Sequence, residues 1–176
     1  MKARRRTLKY RHAQPSDAEA LAEVYMLAIE NATLCSYEHD DERQKIKASK
    51  AHDLERKLTQ GGGYQGLMVS LKGQAVGFVC YQHKPQSIVH VEDLYALSKT
   101  GSALHKKLVM IEKEADTITL CATRSAQTAY EQWGYEHEMP DGYMKLAGSA
   151  LKRWRKSMAG CFPRYPILPP DWAVPI

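Results

Sequence analysis

The sequence predicts an α/β fold built on a mixed sheet of about six to seven strands. Along its 176 residues, short runs of β-branched and aliphatic residues alternate with longer runs that carry apolar residues at helical spacing. Residues 66–71 and 75–81 are predicted to form a hairpin, because Lys72-Gly73-Gln74 lies between them as a turn. Residues 87–97 and 117–122 are predicted to be parallel neighbours, because the helical run between them supplies the crossover that parallel strands need.

The remaining elements follow from the same two patterns. Further strands are predicted at residues 8–13, 136–139 and 143–147, and helices at residues 15–29, 42–58, 101–115 and 126–133. In the first helix, Leu21, Val24 and Ala28 recur at intervals of three and four. Glycines follow two of the helices, at residues 61–63 and at Gly134, and are typical of helix C-termini.

The turn that leads from residues 87–97 into the next helix contains Gly101 and is a candidate anion site. A strand that passes through a glycine turn into a helix directs several unpaired N–H groups at one point, together with the positive end of the helix dipole. Phosphate is the usual occupant of such a point. The structural alternative is an ordinary helix start with no ligand.

The overall composition is that of one globular domain with a substantial core. Hydrophobic residues make up 44% and charged residues 26% of the chain. No apolar run approaches the roughly 20 residues that span a membrane, and the basic N-terminus lacks the apolar segment of a secretory signal. We therefore expect a cytoplasmic protein without membrane contact. The net charge of +5 suits an anionic cofactor or substrate.

Neither the cysteines nor the acidic run at residues 38–42 is interpreted as a metal site. The cysteines are far apart and form no Cys-x-x-Cys pair, which favours reduced thiols. They are Cys35, Cys80, Cys121 and Cys161. Consecutive carboxylates do not converge on one face, and His39 has no second histidine at ligand spacing. An acidic loop or helix start is the interpretation, and we expect no metal.

Three segments are distinguished along the chain: a basic arm at residues 1–6, a domain at residues 7–147 and a basic, proline- and aromatic-rich tail at residues 148–176. The arm is interpreted as solvated rather than as a nucleic-acid contact, because no aromatic residues are interleaved with its charges. Within the tail, the basic residues 151–158 are compatible with a helix, whereas the repeated prolines from Pro163 onward exclude regular helix and inner strand. We expect the tail to lie extended over its own domain or over a partner subunit, which would make a homodimer.

Two segments resemble the GNAT-type N-acetyltransferase superfamily. Residues 98–103 keep the last two fixed positions of the family's acetyl-CoA loop, which has Gln or Arg, two residues, Gly, one residue, then Gly or Ala; Ser98 departs at the first position. Residues 123–135 are similar to the family's Asn-x-x-Ala-x-x-x-Tyr-x-x-x-Gly-Phe stretch, with Thr123 at the Asn position and Tyr135 at the Phe position. The resemblance covers about residues 7–147. It implies a mostly antiparallel central sheet with a splayed parallel strand pair and flanking helices.

The resemblance also implies a function, the direct transfer of an acyl group, most simply acetyl from acetyl-CoA, to an amine of a small molecule or a protein. The cofactor-binding residues that it implies are Tyr95, Ala96, Leu97, Lys99, Thr100, Gly101, Ser102, Ala103 and Thr123. Tyr130 stands where the family keeps the acid that protonates the leaving thiolate, although a core tyrosine is its structural alternative. Glu92 is the best acidic candidate for the base that accepts the amine proton, with His90 on the same strand face. Glu92 could equally be a rim residue.

Departures from the family pattern leave a second function open. Ser98, Thr123 and an acetyl-CoA loop that is shorter than usual are compatible with a binding or regulatory module that has lost catalysis and acts through its basic arm and aromatic tail. A nucleic-acid binder, which rests on charge alone, is the third and weakest hypothesis. The acceptor is not named by any motif, because its specificity would lie in the loops at residues 31–41 and 82–87.

Overall fold

The computed structural model describes residues 8–33, 40–59, 63–97, 100–139, 142–159 and 172–174. The strands of these parts are β1 (Leu8–His12), β2 (Tyr64–Leu71), β3 (Gln74–Lys84), β4 (Ile88–Ala96), β5 (Thr117–Cys121), β6 (Glu136–His137), β7 (Tyr143–Ala147) and β8 (Trp172–Val174). The helices are α1 (Ala18–Thr33), which a 3-10 turn at Pro15–Asp17 precedes, α2 (Asp40–Thr59), α3 (Thr100–Ile111), α4 (Arg124–Gln132) and α5 (Gly148–Ala159).

The strands form one sheet of mixed direction in the order β6-β7-β5-β4-β3-β2-β1-β8. β4 and β5 run parallel, with α3 as their crossover, and their register extends from Ile88–Thr117 to Val91–Leu120. The pairs β1–β2, β5–β7 and β6–β7 are antiparallel. The predicted fold class, a mixed and mostly antiparallel sheet with one parallel pair and helices beside it, is confirmed. The strand beyond the predicted six to seven is β8, which adds a short antiparallel edge to β1.

The chain divides into two compact units. The first contains Met1–Cys80, Asp93–Leu104 and Ile167–Ile176, and the second contains Tyr81–Glu92 and His105–Pro166. In the first unit, α1 and α2 pack together and bury the helical stripe that the sequence predicted. The buried cluster of this unit includes Leu21, Val24, Leu54, Phe78 and Cys80.

The second unit buries one face of its three long strand segments. Alternate residues point inward, as the period of two requires. The inward residues are Val89, Val91, Ile118, Leu120, Met144 and Leu146. Leu151 of α5 is also buried, at 1% exposure. The helix that follows β7 is therefore an integral part of this unit.

Several element ends differ from the predictions. α3 ends at Ile111, not near Ala115, because the chain turns there: the N–H of Lys113 donates to the Ile111 carbonyl at 3.0 Å, and the N–H of Ala115 donates to the Glu112 carbonyl at 3.3 Å. α5 begins at Gly148, before the predicted start at residue 151. The basic arm at residues 1–6, the acidic residues 38–39 and the loop residues 98–99 lie outside the described residues.

The described residues show neither a metal cluster nor a membrane-spanning helix. In the ranges given above, no group of three or more His, Cys, Asp or Glu side chains could hold a metal ion. No helix in the same ranges is both long and apolar enough to cross a membrane.

Candidate functional site

The first turn of α3 is attached to the end of β4 by a side-chain hydrogen bond. Thr100 Oγ1 donates to the Leu97 carbonyl at 2.6 Å, and the Val76 carbonyl lies 3.2 Å from the same oxygen. No acidic residue stands in this first turn. The partial positive charge of the helix N-terminus is therefore not neutralised by a carboxylate on the helix itself, and an anion is favoured there.

The described neighbours of Gly101 do not require a glycine at this position. Among the described residues, a Cβ atom here would meet only Ala96 Cβ, at 3.6 Å, which is ordinary van der Waals contact. Gly101 also lies in the helix and has no positive φ. Neither packing nor backbone conformation therefore requires a glycine here. A ligand that must approach the backbone closely does require one, so the residue present fits a phosphate group.

The end of β4 presents main-chain groups to two different edges. The N–H of Leu97 donates to the Val76 carbonyl at 2.8 Å, so this amide is already engaged with β3. Neighbouring amides of an extended strand point to opposite edges, and the N–H of Ala96 therefore points away from β3. The ring of Tyr95 packs edge-on against Tyr25, with the centroids 4.8 Å apart. The side chain of Tyr95 is thus partly buried and packs against the core of the first unit.

A buried ion cluster holds β4 to α2 within the first unit. The carboxylate of Asp93 lies 2.6 Å from Lys50 Nζ and 3.0 Å from Lys57 Nζ, and its side chain is 7% exposed. Burial alone would lower the pKa of Lys57, but the carboxylates of Asp53 and Asp93 raise it. We did not predict this cluster from the sequence. The available signal was a carboxylate on the inward face of a strand and two lysines seven residues apart, on one side of a helix.

Tyr130 lies on α4 and has a buried ring. The side chain is 9% exposed, and its ring meets Trp133 and Tyr135 edge-on at centroid distances of 5.3 and 5.4 Å. In the described part of the chain, no group hydrogen-bonds to the hydroxyl. Burial raises the pKa of Tyr130 to about 12, so the phenol holds its proton at neutral pH. The ring is a core ring, and the role of the hydroxyl as a proton donor stays a prediction.

Both ends of α4 follow the sequence pattern. Thr123 has an extended backbone, and its carbonyl accepts the N–H of Ala126 at 2.9 Å, although its side chain makes no capping hydrogen bond. Gly134 has a φ of +87°, a conformation that favours glycine, and follows the helix as predicted.

Glu92 and His90 share the outward face of β4, as alternation predicts. Glu92 is exposed, whereas the adjacent Asp93 is buried on the opposite face. His90 Nδ1 lies 2.8 Å from Thr119 Oγ1, and its ring stacks on Tyr143 with the centroids 6.0 Å apart. Burial lowers the pKa of His90. The carboxylate of Glu92 is therefore the more exposed of the two side chains on this face, and its role as the base stays a prediction.

The candidate residues are divided between the two units. The first unit brings Tyr95, Ala96 and Leu97 beside the first turn of α3, residues 100–103. The second unit carries Glu92, Thr123 and Tyr130. Lys99 falls outside the described residues and stays a prediction.

Comparisons with known proteins identify the fold. No protein-family model and no curated protein sequence matches the chain. Among solved structures, PaiA N-acetyltransferase from Thermoplasma acidophilum in complex with coenzyme A is similar with a TM-score of 0.65 and 17% identity, over 78% of this chain and 97% of that one. A GCN5-related N-acetyltransferase from Rhodopseudomonas palustris is similar with a TM-score of 0.61 and 19% identity, over 82% of this chain and 98% of that one. An acetyltransferase of the GNAT family from Staphylococcus aureus is similar with a TM-score of 0.57 and 18% identity, over 78% of this chain and 97% of that one. The chain therefore has the fold of the GNAT-type N-acetyltransferases.

Proposed function

We propose that the protein is an acyl-CoA-dependent N-acyltransferase that transfers acetyl from acetyl-CoA directly to an amine. The observation that carries the proposal is the first turn of α3, which has no acidic residue of its own and carries Gly101, a glycine that its described neighbours do not require. The fold supports it, since one similar structure is described as a complex with coenzyme A. The buried thiol of Cys80 is free, which suits the reducing cytoplasm, where we propose the protein works.

The main chain around α3 would hold the cofactor. The N–H groups of residues 100–103 would bind the pyrophosphate, with Lys99 as an added positive charge. The N–H of Ala96 would contact the pantetheine arm in place of the Leu97 amide, which β3 already engages. Thr123 at the start of α4 is the remaining proposed contact. Acetyl-CoA supplies an acyl group activated as a thioester.

Two side chains would move protons. The exposed carboxylate of Glu92 accepts a proton from the ammonium form of the acceptor and so makes the amine nucleophilic. The hydroxyl of Tyr130 donates a proton to the leaving thiolate, since burial keeps the phenol protonated and no described group accepts its hydrogen bond. The acceptor is an amine of a small molecule or a protein.

Isothermal titration calorimetry with acetyl-CoA tests the cofactor site. We expect the wild-type chain to bind at micromolar concentration and Gly101→Val to bind at least tenfold more weakly, because the added side chain fills the space above the turn. Ser102→Ala, on the same turn, is the control and should bind within about threefold of wild type. Gly101→Val should keep its thermal stability, since glycine is among the poorest residues in a helix. Absence of binding by the wild type, or equal binding by Gly101→Val, would contradict the proposal.

A second candidate function is a binding module that retains the cofactor but not the chemistry. The engagement of the Leu97 amide by Val76 favours it, because that amide is one of those the resemblance assigned to the cofactor. Acetyl-CoA binding without release of free thiol on any member of an amine panel would support this candidate. Turnover on one amine would exclude it.

A further inference from the structure

A groove with aromatic walls lies in the second unit, where α5 meets the end of α4. Its volume is about 440 Å³, within the range of small-molecule sites. The residues that line it are Lys106, Gln132, Trp133, Gly134, Ala150, Arg153 and Trp154. We call it the aromatic groove. None of these residues belongs to the candidate acyl-transfer site.

The two indoles of the aromatic groove form a rigid corner. The rings of Trp133 and Trp154 meet edge to face, with centroids 6.4 Å apart and an interplanar angle of 79°. The indole N–H of Trp154 donates to the Trp133 carbonyl and fixes one side chain on the backbone of the other. A planar ring laid against one indole would therefore have the second indole beside it.

Small residues keep the aromatic groove open. Gly134 has a positive φ, and a Cβ atom there would lie 3.4 Å from Ala150 Cβ. A larger side chain at Ala150 would enter the space between the two helices. The opening therefore depends on the smallness of this pair.

A buried histidine lies behind the indoles. The ring of His105 stacks on Trp133 at 4.7 Å and meets Trp154 edge-on at 5.1 Å. Its Nε2 lies 2.9 Å from the Tyr135 hydroxyl, whereas its Nδ1 has no hydrogen-bond partner among the described residues. The indoles are thus held from behind by a fully buried aromatic ring, and a polar atom in the same cluster is left unsatisfied.

The charge at the aromatic groove is positive. Lys106 and Arg153 are exposed, and no carboxylate belongs to the lining. The whole of α5 carries basic residues and no acidic one. The aromatic groove therefore combines a flat apolar wall with a cationic rim, which suits a planar aromatic ligand that carries negative charge.

We propose that the aromatic groove binds a nucleotide, with its base against the indole corner and its phosphate beside Arg153 and Lys106. Aromatic stacking together with Arg and Lys contacts to phosphate is the general chemistry by which proteins hold unpaired nucleotides. The nucleotide comes either from a free mononucleotide or from a single-stranded nucleic acid. The lining shares no residue with the first turn of α3, and the proposal does not rest on the proposed function.

Tryptophan fluorescence of the full chain tests the ligand chemistry. Adenosine 5′-monophosphate should quench the emission and bind at least tenfold more tightly than adenosine, which lacks the phosphate, or ribose 5-phosphate, which lacks the base. A six-residue oligoadenylate identifies the source: tighter binding than the mononucleotide indicates a strand, and equal or weaker binding indicates a free nucleotide. Equal binding of ribose 5-phosphate and the mononucleotide would overturn the proposal, because the indoles would then contribute nothing.

Matched variants locate the binding. Arg153→Glu should weaken mononucleotide binding at least tenfold, whereas Lys152→Glu, an equal charge change at an exposed neighbour outside the lining, should change it less than threefold. Ala150→Leu should weaken binding at least fivefold by filling the aromatic groove without altering charge. Gly101→Val should leave mononucleotide binding unchanged. This variant therefore tests the aromatic groove independently of the proposed cofactor site. The proposal would be refuted if Arg153→Glu and Lys152→Glu had equal effects on mononucleotide binding. It would also be refuted if Ala150→Leu kept an intact circular dichroism spectrum and bound the mononucleotide as tightly as wild type.

Discussion

The ammonium of Lys50 lies 2.6 Å from the buried carboxylate of Asp93, directly beside Glu92 in sequence but on the opposite face of β4. One strand thus carries an exposed carboxylate, which is the proposed base, and a buried carboxylate that pairs with lysines. The buried carboxylate is also 3.0 Å from Lys57 Nζ, so two lysines of α2 share it.

Removal of the buried charge should destabilise the first unit strongly. We expect Asp93→Asn to lower the free energy of unfolding by about 3 kcal/mol, because two mostly buried ammonium groups lose their shared carboxylate. Urea unfolding measures the change. Asp53→Asn is the matched control, since Asp53 contacts the same lysines at 32% exposure, and it should cost less than about 1 kcal/mol. If the two variants lost equal free energies of unfolding, the burial of Asp93 would not be the reason for its contribution to stability.

The Tyr130 hydroxyl should matter for turnover but not for stability. Tyr130→Phe keeps the ring contacts and breaks no hydrogen bond in the described residues. We therefore expect at least a tenfold loss of acetyl-CoA turnover on the best amine of a panel, with cofactor affinity unchanged. The neighbouring Tyr135→Phe is the control: it loses the contact with His105 and should cost about 1 kcal/mol of stability with turnover retained. An unchanged rate for Tyr130→Phe would remove this residue from the chemistry.

Glu92→Gln tests the base. The side chain is exposed, so the thermal midpoint should not change, while turnover near neutral pH should fall at least tenfold. Raising the pH should recover part of the rate, because acceptor amines then lose their proton without help. Glu136→Gln, an exposed carboxylate on β6, should behave as wild type. A variant with the wild-type rate at every pH would exclude Glu92 as the base.

His105 should make the protein sensitive to acid. Burial lowers the pKa of this side chain from the ordinary 6.5 to about 3. At a pH between these two pKa values, His105 is protonated in the unfolded chain and neutral in the folded chain. Its contribution to the free energy of unfolding is therefore complete above pH 6.5 and declines as the pH falls toward 3. At pH 5 the loss is about 2 kcal/mol. Urea unfolding at pH 7.5, 6 and 5 should show a steeper decline for the wild type than for His105→Phe. Parallel declines would contradict the assignment.

The parts of the fold with strong local signals were predictable from the sequence. β4 was predicted at residues 87–97 and is found at Ile88–Ala96. The prediction was possible because this segment is an unbroken run rich in β-branched and aliphatic residues, which indicates a strand. The outward positions of His90 and Glu92 followed from alternation. The helix around Tyr130 and its glycine terminus were predicted from spacing alone.

Features that depend on distant partners were not predictable. The lysines that neutralise Asp93 are 43 and 36 positions away in the chain, and no local pattern joins them to it. The bond that engages the Leu97 amide depends on which neighbouring strand its N–H faces. The aromatic groove likewise arises only when α5, which lies beyond the family resemblance, packs beside α4.

Arg155 of α5 satisfies carbonyl groups that follow the end of α3. Its Nη2 donates to the Glu112 and Ala115 carbonyls at 2.8 and 2.6 Å, just past the end of α3, a helix whose last turn has no basic residue of its own. Expression of residues 7–147 alone, the range suggested by family likeness, would strip these carbonyls of their donor and uncover the apolar surface under Leu151. A fragment cut there should collect in inclusion bodies, whereas a boundary placed after Ala159 should yield material fit for crystallisation.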